Sequence, residues 1–130
     1  MSATQVADRQ LPSTSVTTTG TQTITNKRIN PRVGEIASSA TPLISMDTMD
    51  MFKITALAVD ITGFGLTGTA VDGQKMWVTI IPTATRFITW GSSFESSLVA
   101  LPTTTGSATR LDVGFVWNPI TSKLRCVAVA

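Results

Sequence analysis

The chain has 130 residues, of which 42% are hydrophobic and only 14% charged, with no histidine, no tyrosine and a single cysteine. A length of this order allows one small domain, with or without a tail, and excludes a two-lobed enzyme. Ten basic residues against eight acidic ones leave a formal charge of +2, too small an excess for the dense basic stripe that duplex binding requires.

The missing charge is replaced largely by 23 threonines and 12 serines. The mean hydropathy is +0.25, which sets the chain apart from compositions that stay disordered. Residues 1–44 contain no aromatic side chain. They also hold the whole charge excess, with Arg9, Lys27, Arg28 and Arg32 against Asp8 and Glu35. Within them, residues 11–25 are β-branched and polar without a consistent apolar face. Such a segment has strand propensity but too little apolar surface to offset its own ordering entropy. It is expected to order only against another chain or a neighbour's surface. The sequence therefore divides into an extended N-terminal anchoring arm, residues 1–44, and a head domain, residues 45–130.

From about Met46 the pattern changes to strands punctuated by turns. Phe52, Ile54, Ala56 and Ala58 alternate with Lys53, Thr55, Leu57 and Val59. A glycine-rich stretch follows, and Asp72-Gly73 marks a turn. Met76, Val78 and Ile80 then alternate with Trp77 and Ile81, and a run over residues 86–90 follows Pro82. Residues 97–101 read as a short strand closed by Pro102 and a threonine-rich loop over residues 103–107. Leu111, Val113, Phe115 and Trp117 form the clearest alternation, broken at Asn118-Pro119, and Leu124, Cys126 and Ala128 continue to the C-terminus. Short strands at this spacing, with no sustained helical period, predict an all-β fold, an antiparallel β-sandwich of jelly-roll type. Several strands are apolar on both faces, as where Val127 and Val129 oppose Cys126. One sandwich core cannot absorb that surplus, so a subunit interface in a closed oligomer is expected.

The inventory of chemical groups is thin. Without histidine there is no Ser-His or Cys-His pair and no imidazole ligand. One cysteine makes neither an internal disulfide nor a cysteine-rich zinc site, and Cys126 reads as a small buried hydrophobe. Asp47 and Asp50 are the one close carboxylate pair, and their place at the entry to a strand fits turn and cap chemistry better than glycoside hydrolysis. Gly63, Gly65 and Gly68 spell G-x-G-x-x-G, but a turn and a β-branched run follow where a dinucleotide site needs a helix. Asp60 and Asp72 are too far apart for a calcium cage. Trp77, Phe87, Trp90, Phe94, Phe115 and Trp117 read mainly as core, with sugar stacking as the other reading. The expectation is a protein that is not an enzyme and takes no cofactor or metal.

The N-terminus lacks the apolar core of a signal peptide, and no apolar run approaches the roughly 20 residues of a membrane helix. No membrane partner is expected, and synthesis in the cytoplasm is. Lys27, Arg28 and Arg32 cluster around Ile29 and Pro31. They read as an anchor whose cations reach carboxylates on a partner, with proline keeping the chain extended. Thr23, Ile24, Lys27, Arg28, Ile29 and Arg32 are the candidate partner-binding residues of the arm.

Residues 18–28, Thr-Thr-Gly-Thr-Gln-Thr-Ile-Thr-Asn-Lys-Arg, resemble an element that recurs in bacteriophage tail-fibre and related virion proteins. Residues 36–42, 52–62, 66–69, 73–75, 85–94, 101–105 and 123–128 follow in the order of a β-rich module of phage structural proteins. The resemblance spans residues 16–130. It implies a non-enzymatic virion component, a homotrimer, attached through its N-terminal segment to other virion proteins, the major capsid protein or a tail component. Fibres of that kind are long chains with a shaft, whereas this chain has an arm and a head only. Its proportions resemble those of capsid decoration, or cement, proteins, which sit at joints of the shell. The expectation is a virion protein assembled in the host cytoplasm that reinforces the capsid. The alternative is a short tail fibre or spike, whose head loops would bind a host-surface glycan or protein.

Overall fold

In a computed structural model of the protein, residues 19–21, 23, 25–106 and 109–130 are described. These residues form eight strands and no helix: β1 (Val33–Ile36), β2 (Leu43–Ser45), β3 (Met51–Leu57), β4 (Gly65–Thr67), β5 (Lys75–Pro82), β6 (Phe94–Glu95), β7 (Leu111–Asn118) and β8 (Lys123–Val129). Six of them make one sheet in the order β1-β3-β5-β7-β8-β6, and β2 and β4 make a second, two-stranded sheet.

The fold is all-β, as the alternation predicts, but the antiparallel jelly-roll arrangement is not what the strands form. β1 runs parallel to β3, β3 to β5, β2 to β4 and β6 to β8; only β5–β7 and β7–β8 are antiparallel. The reason lies in the connections. A hairpin needs a tight turn, whereas parallel neighbours need a crossover of about a dozen residues or more. Residues 37–50 and 58–74 are crossovers of this kind, and each carries one strand of the second sheet. β2 lies in the first crossover and β4 in the second, and they pair with each other. Turn signals in these segments therefore punctuate crossovers, where the sequence alone suggests hairpins. β7 and β8 do form a hairpin, around residues 119–122, where Ser122 takes a positive φ of 54°.

β1 and β2 also move the expected boundary at residue 44. β1 pairs with β3 from Val33↔Met51 to Ile36↔Ile54, and Ile44 is fully buried in the core. The sheet-forming part of the chain thus begins by residue 33, because the first crossover needs the strand in front of it.

The main core is one cluster on the inner face of the large sheet. Phe52 and Ile54 of β3, Met76, Val78 and Ile80 of β5, Leu111, Val113 and Phe115 of β7, and Leu124 and Cys126 of β8 supply it. Ile44, Met46, Ile61, Phe64, Ile88 and Phe94 join it from the second layer and the loops. The β3 alternation does not run through as the sequence suggests. A register shift between Ile54 and Leu57 puts Leu57 in the core and leaves Ala56 exposed. A bulge inserts one residue and so exchanges the faces beyond it.

Two expected strands are also absent. Residues 86–90 make only the single bridges Ile61↔Ile88 and Phe87↔Thr104. Residues 97–101 form a turn-like segment in which Ser97 Oγ donates to the Cys126 carbonyl and Ser96 Oγ accepts from Leu101 N–H. Serine and threonine side chains here satisfy backbone groups locally and so compete with a ladder.

The ring cluster lies across this inner layer. Phe64 and Trp90 stack with centroids 4.5 Å apart, and Phe94 and Phe115 meet Trp90 at tilted or edge angles. Trp90 Nε1 donates to the Pro102 carbonyl, so the half-buried indole leaves no polar hydrogen unpaired. Gly91 is required beside this stack, since a Cβ there would collide with the Phe64 carbonyl oxygen.

Candidate interaction surface

Residues paired across neighbouring strands share a face, so the register defines the outer face of the large sheet row by row. The central row runs Val33, Met51, Trp77, Gly114 and Ala128 over β1, β3, β5, β7 and β8. A second register shift, between Gly114 and Phe115, brings Val127 in beside Ala128. Trp77 is 46% exposed, and Val33 and Val127 are similarly half-open. The Trp77 ring lies against Gly114, where an added Cβ would be 2.9 Å from its Cζ3 and Cη2 atoms. Glycine lets the indole lie down on the neighbouring strand, which flattens the centre of the row.

Charged rows border this apolar stripe on both sides. One margin holds Glu35, Lys53, Thr79 and Asp112. Lys53 Nζ lies 4.0 Å from Glu35, and Arg110 closes over Asp112 at 2.8 Å. Thr79 Oγ1 donates to Asp112 Oδ1 at 2.6 Å, which satisfies the one hydroxyl buried on this side. The other margin holds Lys75, Val116, Arg125 and Glu95, with Asn118 and Lys123 beyond. Asn118 Nδ2 donates to Glu95 and holds its carboxyl below the usual range; Arg125, 3.8 Å away, and Lys123 add to the effect. An aromatic centre inside a polar rim is the composition of a protein interface.

The candidate arm residues precede β1, whose first residue, Val33, ends the stripe. Thr23, Lys27, Arg28 and Ile29 are exposed, Ile29 to 85%. Ile24 lies outside the described residues. Arg32 is not free to reach a partner. Its Nη2 and Nε bind Asp50 at 2.8 and 3.1 Å, its Nη1 donates to the Asp47 carbonyl, and its own N–H donates to Asp50 Oδ2. The guanidinium and backbone donors hold the Asp50 carboxyl down to about 2. Arg32 is therefore the clamp that fixes the root of the exposed segment to the β3 entry.

The other singled-out groups have structural partners. Asp47 Oδ1 accepts from Thr69 N–H and sits against Gly68, whose φ is +85°. Asp47 and Asp50 thus serve different loops. The G-x-G-x-x-G stretch forms β4 and the bend after it. Asp60 Oδ1 accepts from Phe87 N–H, and Asp72 lies exposed in the turn before β5. Burial pushes the Cys126 thiol up. Among the described residues, no group of three or more acidic or cysteine side chains is placed to hold a metal.

A scan of family models, of curated proteins and of solved structures finds no match to this chain. What this surface does must therefore be argued from its own geometry. The Trp77–Gly114 pair is not among the sites that the sequence singles out. Its signal was there: Trp77 alternates out of phase with Met76, Val78 and Ile80. Only the β5–β7 register supplies the glycine opposite it.

Proposed function

We propose that this chain is a non-enzymatic structural protein of the bacteriophage particle surface, a capsid decoration protein that stabilises the shell by burying surface between subunits. The observation that carries an assembly role is the open apolar stripe on the outer face, with Trp77 at its centre. The order of segments over residues 16–130, which resembles phage virion modules, supplies the particle. Residues 26–30, with Lys27, Arg28 and exposed Ile29, form the docking element for a neighbouring virion subunit. The Arg32–Asp50 clamp holds this element at a fixed point of the head. The heads associate with one another, and the homotrimer that the resemblance implies is one such assembly. A short tail fibre or spike is the second reading. Phe87, exposed and bridged to Thr104 in the threonine-rich loop, favours it by offering a ring to a host-surface glycan.

Copy number per virion, measured by densitometry against the major capsid protein, tests the proposal. Hundreds of copies support decoration, a few to a few tens support the fibre, and absence from purified virions overturns both. Lys27→Glu with Arg28→Glu in the full chain is expected to lower incorporation at least tenfold without changing the folded state seen by circular dichroism.

A further inference from the structure

The parallel half of the large sheet is uncovered on one side. Strands in parallel sheets are almost always covered on both faces, because their connections bring layers to each. Here both crossovers, with β2 and β4, go to the inner face, and on the outer face Val33 and Trp77 stay about half exposed with Met51 partly buried between them. We propose that a second copy of the same face covers this stripe, so that two heads pack sheet against sheet about a two-fold axis. The inference rests on the reading that the heads associate, and it replaces the three-fold assembly that the resemblance implies with a two-fold pair through a named surface.

Three observations select a copy as the occupant. The first is area. Five strands about 4.8 Å apart, of four to eight residues at about 3.3 Å each, give roughly 500 Å² per face in projection. Two such faces reach about 1,000 Å², the lower bound for a specific interface.

The second is shape. An identical sheet carries the same twist, which is what aligned sheet packing at about 10 Å requires. The indole lying on Gly114 removes the protrusion that would hold two sheets apart.

The third is charge. One margin carries Lys75, Lys123 and Arg125 against Glu95 alone. The other carries Glu35 and Asp112 with Lys53 and Arg110. A two-fold axis along the stripe sets the basic margin of one copy opposite the margin bearing Glu35 and Asp112 of the other. An axis along the strands would set basic on basic, which is unfavourable.

The test is the mass of the full chain by sedimentation over a concentration series, with Trp77→Lys as the principal variant. The wild type is expected to form a dimer, and Trp77→Lys to raise its dissociation constant at least tenfold. Val33→Lys and Val127→Lys, at the two ends of the stripe, provide the same test should Trp77→Lys fail to fold. A monomeric wild type overturns the inference, even where the chain is abundant in virions. So does a trimeric wild type, or an oligomer of any size whose mass none of the three variants changes. Protection of Trp77 from oxidation only on the particle also overturns it, because a different virion protein is then the occupant. A dimer sensitive to these positions supports it even if the chain is absent from virions, in which case the proposed function alone fails.

Discussion

The two faces of the large sheet are built from the same five long strands, yet they have opposite fates. On the inner face Phe52, Val78 and Val113 lie in one row and are almost wholly buried. One residue along each strand, the outer row of Met51, Trp77 and Gly114 has comparable apolar character, but Trp77 remains nearly half exposed. The difference is supplied by the second layer. The crossovers with β2 and β4 and the ring cluster of Phe64, Trp90 and Phe94 close the inner face, whereas the centre of the outer one, at Val33, Trp77 and Val127, stays half-open. Apolar alternation selects a face; burial of that face depends on what the connections carry over it.

This contrast orders the expected effects of substitution. Phe115→Ala on the inner face removes a ring in contact with Trp90 and Phe94. It should cost about 3–5 kcal/mol of unfolding free energy by urea titration. A loss under about 1 kcal/mol would mean the inner layer is not packed as described.

Gly91→Ala probes the closure of the same layer at its tightest point. The new methyl meets backbone, not a mobile side-chain end, so a loss of about 1–3 kcal/mol is expected. Wild-type stability would show that the Phe64 segment can retreat.

On the outer face, Trp77→Ala should cost the chain about 1–2 kcal/mol, since only about half of the indole is buried. A loss as large as that of Phe115→Ala would abolish the distinction between the faces.

The smallest effect is expected at the rim. Asp50 titrates at about 2 in the folded chain, below its value when unfolded. A depressed carboxyl stabilises the fold at neutral pH, and the contribution is lost as pH falls through about 4 toward 2. The pair is solvent-exposed, so Asp50→Asn should cost under about 1 kcal/mol at pH 7 and flatten the stability profile over that acid range. An unchanged profile would show that the clamp adds nothing to holding β1 at the sheet edge.

Much of the core was legible in the chain. Met76, Val78 and Ile80, and Leu111, Val113 and Phe115, alternate in sequence and are buried in the fold, because a strand presents every second residue to one side. Ala56 and Leu57 were not legible, since a bulge reverses the faces and leaves no local mark. Arg32 reads as an outward anchor in the sequence because its partner, Asp50, lies 18 positions away and is brought close only by β1 pairing with β3. Asp47 and Asp50 read as local turn and cap residues, whereas the bonds they make go to Thr69 and Arg32, 22 and 18 positions away.

Composition and alternation by themselves determined an all-β chain with sparse charge, a cationic segment ahead of the sheets and more apolar surface than one core consumes. These are properties of single residues and of a two-residue period, which sequence states directly. The tertiary structure decided that β1, β3 and β5 run parallel, that both crossovers cover the same face, and that Trp77 rests on Gly114. Those outcomes depend on pairing between segments far apart in the chain. Local propensity carries no information about register, and register sets which apolar row is closed and which stays half-open.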